Sequence, residues 1–350
     1  MDGSRRREGD DQMNHRCLAA VFTVIAGVAL TPLFAAAQSA QPPRTPWGAP
    51  DLQGVWDFRT LTPLERPAEF AGKALLTAEE AAELEQRDAI ARSQPNPSTP
   101  EEECPPNFPI CSEAPLAYEF RIWFDRGTTV TRRTSLIVDP PDGRMPPVTP
   151  DAQEKRAAAR EARRGVGFHQ PAPGGWVEDL GLGGLQLRCI TGLNAGPPMT
   201  PDTYNNNVQL FQTADYVALL NEMNHNVRMI PLDGRAHVDL RQWQGDSRGH
   251  WEGETLVVET TNFLRETSFV YGQSDEHLQL VERFTRVSPQ TLIYEATIDD
   301  PTVWSRPWIF ELPMQLNDQP LYEYACHEGN YGLANILSGA LAEGETQGSR

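Results

Sequence analysis

The sequence predicts a mainly β protein, an antiparallel β-barrel or sandwich with two peripheral helices. Three observations lead there. From Val208 onward apolar residues recur with period two, the spacing of a strand with one buried face. Turn residues punctuate that region at short intervals, as at Asp233-Gly234, Gly253 and Val287-Ser288-Pro289-Gln290. The regular helix–strand alternation that builds a parallel sheet is missing. The chain has 350 residues, 39% of them hydrophobic, which is enough for one large domain or two small ones.

Residues 17–37 (CLAAVFTVIAGVALTPLFAAA) are apolar and uncharged, follow His15-Arg16 and end in small residues. This is the pattern of a secretory signal peptide cleaved between Ala37 and Ala40. A membrane anchor is the alternative, but Pro32 interrupts the run. Residues 1–12 carry acids beside Arg5, Arg6 and Arg7, so Met13 is a second candidate start. The expected organisation is a signal peptide over 1–40, then an N-terminal strand, helix and Pro-rich loop over 41–115 packed on the body, and a β-barrel domain over 116–350. The expected location is periplasmic or secreted, with no stable membrane insertion after cleavage.

Thr77-Ala78-Glu79-Glu80 is a capping box that opens a helix running to about Ser93. Residues 94–115 form a proline-rich loop containing Cys104 and Cys111. The alternation of Tyr118, Phe120, Ile122 and Phe124 with polar residues predicts a strand. A second helix starts at Thr149-Pro150-Asp151 and ends at Gly165, with Arg156, Arg160, Arg163 and Arg164 as a solvated face. Residues 174–201 are glycine-rich and read as irregular. Further strands are expected at 227–232 and 254–262, and a hairpin joins the alternations from Leu278 and from Leu292. The total is about nine strands. In an exported chain the four cysteines after the leader suggest two disulfides, and three pairings are possible. Cys104 and Cys111 flank one loop, so the expected pairs are Cys104–Cys111 and Cys189–Cys326.

Leu52-Gln53-Gly54-Val55-Trp56 resembles the Gly-x-Trp opening strand of lipocalin-like barrels. The runs RTSLIVDPPDGR (133–144), YNNN (204–207), NEMNH (221–225), RMIPLDGRAH (228–237), GHWEGETLVVETTNF (249–263) and ACHEGNYGL (325–333) resemble a family of secreted bacterial β-rich proteins. The resemblance implies an exported globular protein and transfers no catalytic residues.

Thirty Lys+Arg against 48 Asp+Glu give a net charge of −18, which argues against nucleic acid and anionic lipid as partners. The chain shows no phosphate loop, dinucleotide fingerprint or haem-attachment motif, and no cofactor is expected. Gly245-Asp246-Ser247-Arg248-Gly249 matches the letters of a hydrolase nucleophile elbow, but it leads into a strand instead of a helix, so it reads as a loop between strands. Glu282 falls on the face that carries Leu278, Leu280 and Phe284. There desolvation raises a carboxyl pKa and suits it to general acid or base work, or else the group pairs with a buried arginine. Glu222 and His225 offer a base with an orienting carboxylate. Asn221 and Arg228 offer groups for an oxyanion. His327 is left available once Cys326 is assigned to a disulfide. His237 lies beyond the Asp233-Gly234 turn, where pairing with His225 would give metal-type ligands, although the sequence lacks tight metal spacing. Trp251 and Tyr324 supply ring faces.

The candidate catalytic residues are therefore Glu222, His225, Glu282 and His327, and the candidate substrate-binding residues are Asn221, Arg228, His237, Trp251 and Tyr324. The expected function is that of an exported β-barrel enzyme doing acid–base chemistry on a small organic substrate, as a lyase, isomerase or hydrolase. The alternative is a non-catalytic periplasmic small-molecule binding protein.

Overall fold

Ten strands form one sheet among the described residues. In β8 (Gln279–Ser288), Leu280, Glu282, Phe284 and Arg286 are buried and their neighbours are not. In β9 (Thr291–Asp299), Leu292, Tyr294, Ala296 and Ile298 follow the same rule. These two strands are the hairpin that the period-two spacing predicted, because successive side chains point to opposite faces. The structure is a computed structural model that describes residues 42–93, 125–162, 164–166, 182–192, 194–267 and 276–348. The strand expected over 118–124 and the Cys104–Cys111 pair lie outside these residues.

The other strands are β1 (Gly54–Asp57), β2 (Ile137–Asp139), β3 (Asn207–Gln212), β4 (Tyr216–Asn221), β5 (Val227–Pro231), β6 (Asp246–Glu252), β7 (Thr255–Thr261) and β10 (Trp308–Asn317). All pair antiparallel in the order β5-β4-β3-β1-β10-β9-β8-β7-β6, with β2 also on β10. One edge of β10 is shared, with β2 beside Ile309 and Phe310 and β1 beside Gln315 to Asn317. Pro313, which has no N–H to donate, falls in the interval that neither strand covers.

The sheet rolls so that its outermost strands, β5 and β6, meet through side chains. A Cβ on Gly249 of β6 would lie 2.8 Å from Ile230 Cγ2 of β5 and 2.7 Å from Leu232 Cδ2. No hydrogen-bonded ladder closes this seam. The buried face holds the core, including Trp56, Phe284, Tyr294, Phe310, Trp304 and Trp308. Trp304 and Trp308 pack edge to face at 5.6 Å, as core residues rather than a ligand wall.

Helix α1 (Ala78–Ser93) begins with the predicted capping box: Glu80 N–H donates to Thr77 Oγ1 at 3.2 Å and Thr77 N–H to Glu80 Oε2 at 2.8 Å. Helix α2 (Pro150–Ala162) is capped by Thr149 Oγ1, which accepts from Ala152 N at 3.2 Å. Two helices were not expected, α3 (Leu182–Leu187) and α4 (Tyr331–Gly348). Gly332, Gly339 and Gly344 lower the helix propensity of α4, which hides it from a propensity reading.

The N-terminal part of the chain supplies β1, which lies between β3 and β10. Two further findings bear on local structure. The Gly245–Gly249 run is not a loop. Asp246 opens β6, and Ser247 Oγ is buried against Thr260 Oγ1 at 2.9 Å, so the serine is no exposed nucleophile. The irregular region before Pro201 includes core-forming residues, with Asn194, Ala195 and Met199 fully buried.

Candidate functional site

Glu282 points inward, as the alternation required, and it meets an arginine there. Arg228 Nη1 donates to Glu282 Oε2 at 2.6 Å and Nη2 to Oε1 at 2.9 Å, with the two side chains 3% and 0% exposed. Tyr294 Oη donates to Glu282 Oε1 at 2.8 Å and accepts from Met199 N at 3.1 Å. Burial, reinforced by the adjacent carboxylate, pushes the Tyr294 hydroxyl well above its ordinary pKa and keeps it a donor. Glu282 is thus held by three donor atoms and has no surface facing solvent. Of the two sequence readings of Glu282, this geometry is that of the carboxylate paired with a buried arginine.

Above this pair, one end of the sheet gathers amides. β4 ends at Asn221, and a short turn over Met223–His225 leads to β5. Asn224 and His225 hold positive φ, at 56° and 55°, a conformation that asparagine tolerates better than most residues. Asn221 N–H donates to Asn226 O at 2.8 Å and closes the hairpin. Asn207 Nδ2 donates to Glu222 Oε2 at 2.8 Å, and Asn317 Nδ2 donates to Asn207 Oδ1 at 3.1 Å, tying β3 and β10 to the turn. The segment before β3 packs directly onto this turn, since a Cβ on Gly192 would meet Met223 Cγ at 2.3 Å and Asn224 Nδ2 at 3.3 Å. Asn221 Nδ2 also donates to Ala195 O in that segment.

Among the described residues, several of these amides have buried atoms without a partner: Asn194 Oδ1, Asn221 Oδ1, Asn226 Nδ2 and both polar atoms of Asn224. Arg228 Nε, one layer deeper, is in the same condition. Buried polar atoms in folded proteins are normally satisfied, so such a concentration at one end marks a place with hydrogen-bonding capacity to spare.

Asn194 Nδ2 connects the amide cluster to the aromatic pair beside it, donating to Tyr204 O at 2.8 Å and Asn205 O at 3.0 Å. Tyr204 stacks on Tyr324 with ring centroids 6.5 Å apart and planes at 21°. Burial pushes the Tyr204 hydroxyl up to about 12, with Tyr324 adding to the effect. Tyr324 also lines a cavity of about 580 Å³ with Gln186, Leu187, Cys326, Glu328 and Asn330. The disulfide Cys189–Cys326, with Cα atoms 5.7 Å apart, pins this C-terminal segment to the body.

The nine residues singled out from sequence therefore fall into three groups, with His327 outside them. Asn221, Glu222 and His225 share one turn, and Tyr324 reaches the same end through Tyr204 and Asn194. Arg228 and Glu282 form the interior pair, while His225 is exposed, so Glu282 and His225 do not open onto common space. His327, next to Cys326, is also exposed. His237 and Trp251 belong to the β6 side. His237 Nδ1 contacts Asp246 Oδ2 at 2.9 Å and does not join His225, while Trp251 packs partly buried on the core. Glu222, His225 and Glu282 line none of the cavities of about 570, 610 and 580 Å³.

Sequence reasoning missed Asn194, Asn207, Asn224, Asn226 and Tyr204. For Tyr204, Asn207 and Asn224 the runs YNNN and NEMNH were the signal, since amides this dense are costly in a core unless they have something to bond. Comparison with protein-family models, curated proteins and solved structures finds no match for this chain.

Proposed function

We propose that the chain is an exported binding protein for a small, neutral, hydroxyl-rich molecule, held at the asparagine-rich end of the sheet. The observation that carries this reading is the group of buried amides with unpaired atoms at Asn194, Asn221, Asn224 and Asn226, beside the Tyr204–Tyr324 stack. An amide offers a donor and an acceptor together, which matches a hydroxyl that does both. A tyrosine face takes the apolar face of a ring. The net charge of −18 disfavours an anionic ligand. Export is supported by the leader pattern and by the Cys189–Cys326 disulfide.

The enzyme reading draws its support from Glu222 and His225 on one turn, where His225 N donates to Glu222 O at 3.2 Å. The enclosure of Glu282 within its ion pair favours binding over acid–base catalysis, because a general acid must reach substrate directly or through one water.

The test is a thermal-shift and calorimetric panel of neutral monosaccharides, disaccharides and polyols against carboxylate and phosphate compounds. A ligand at one hundred times its dissociation constant adds about 2.7 kcal/mol of stability. The expected result is stabilisation by neutral members only, weakened in Asn226→Ala and Tyr324→Ala. Stabilisation by anions alone, or by no member, overturns the reading. Turnover of a bound member that is abolished in Glu222→Gln would move the reading to an enzyme.

A further inference from the structure

We propose that the Cys189–Cys326 disulfide is a thiol-exchange site, attacked at Cys326 by a low-molecular-weight thiol that enters the cavity of about 580 Å³. The two sulfurs are placed differently. Cys326 lines that cavity and is partly exposed, whereas Cys189 does not line it and is only 8% exposed. Asn330 supplies the second element. Its Nδ2 lies 3.6 Å from Cys189 Sγ and also donates to Leu187 O at 2.7 Å. A thiolate leaves faster when its charge is stabilised, and an amide N–H aimed at Cys189 Sγ provides that stabilisation on the sulfur facing away from the entry side.

In the exchange, the external thiolate forms a new S–S bond to Cys326 Sγ. The Cys189–Cys326 bond breaks, and its electron pair leaves on Cys189 Sγ, which accepts the Asn330 N–H bond. A second external thiolate can then attack the mixed disulfide, releasing the oxidised external thiol and leaving both cysteines reduced. The two electrons come from the external thiols. The residues beyond Cys326, including α4, then lose their disulfide cross-link to the body and stay attached through the backbone alone. This inference is independent of the ligand proposed above.

The experiment exposes the native full-length protein to reduced glutathione, quenches with iodoacetamide and maps both modifications by peptide mass spectrometry. Glutathione on Cys326 with carbamidomethyl on Cys189 is the expected outcome. The reverse placement, equal labelling, or no exchange in a protein that reacts fully once denatured overturns the proposal. A second measurement separates the role of Asn330 from mere packing. As a stabiliser of the leaving sulfur, Asn330→Ala should slow exchange about fivefold, the worth of one hydrogen bond. As a packing residue, its loss would loosen the segment and accelerate exchange, which would refute the assignment.

Discussion

Arg228 on β5 and Glu282 on β8 face each other through two hydrogen bonds, of 2.6 and 2.9 Å, inside a sheet whose outermost strands share no ladder. β5 ends the hydrogen-bonded order on one side, and β8 lies two strands in from the other end. The pair therefore ties together parts of the sheet that backbone pairing leaves unjoined. The desolvation of both charges offsets much of their attraction, so the pair specifies the closure more than it adds net stability.

Removing one partner should be costly. Glu282→Gln or Arg228→Met leaves a buried group uncompensated and is expected to lower stability by about 3–5 kcal/mol. The double change Arg228→Met with Glu282→Leu should recover most of that loss. Urea titration of the four proteins checks both statements, and single losses under about 1 kcal/mol would show that the pair does not hold the seam.

The seam itself has a steric probe. Gly249→Ala puts a methyl 2.8 Å from the buried Ile230 Cγ2, and the expected cost is about 1–3 kcal/mol. Gly339→Ala in α4 meets nothing within 4 Å and should stabilise by up to about 1 kcal/mol through helix propensity. Opposite signs in thermal unfolding are the expected result.

Stability should fall at alkaline pH. The Tyr204 hydroxyl is pushed up to about 12 and burial raises that of Tyr294 well above its ordinary value, against about 10 for an unfolded tyrosine. A raised folded pKa means that the unfolded chain loses its proton first. The contribution is complete below about pH 10 and is lost as pH rises toward 12. Tyr294→Phe should reduce this alkaline loss, as followed by denaturant midpoints between pH 8 and about 11.5.

The proposed export has a chemical signature. N-terminal sequencing of the mature protein should begin between residues 38 and 41, and Cys189 and Cys326 should yield no free thiol before reduction. A mature chain with both thiols free would remove the disulfide from the argument.

The strands were legible because their pattern is local. Leu280, Glu282, Phe284 and Arg286 alternate whatever their partners, and the Thr77–Glu80 capping box announces α1 with four residues. Asp246–Glu252 was hidden because its alternation is weak: Gly249 supplies no side chain, and Asp246 and Ser247 are polar yet buried. The site was half legible. Asn221, Glu222, His225 and Tyr324 stood out as polar or aromatic groups beside strands, whereas Asn194 joined them only because the segment before β3 folds back onto the β4–β5 turn.

The sequence by itself determined the hairpin of β8 and β9, which face of those two strands is buried, and that Glu282 points inward, since all three follow from a two-residue period. It left open what Glu282 would meet. An isolated carboxylate in an apolar interior is a strong candidate acid, while the same carboxylate beside a guanidinium is a structural tie. The tertiary structure decided between them by placing Arg228, 54 positions earlier in the chain, within 2.6 Å. The order of strands and the roll of the sheet fix that distance, and local pattern carries no information about either.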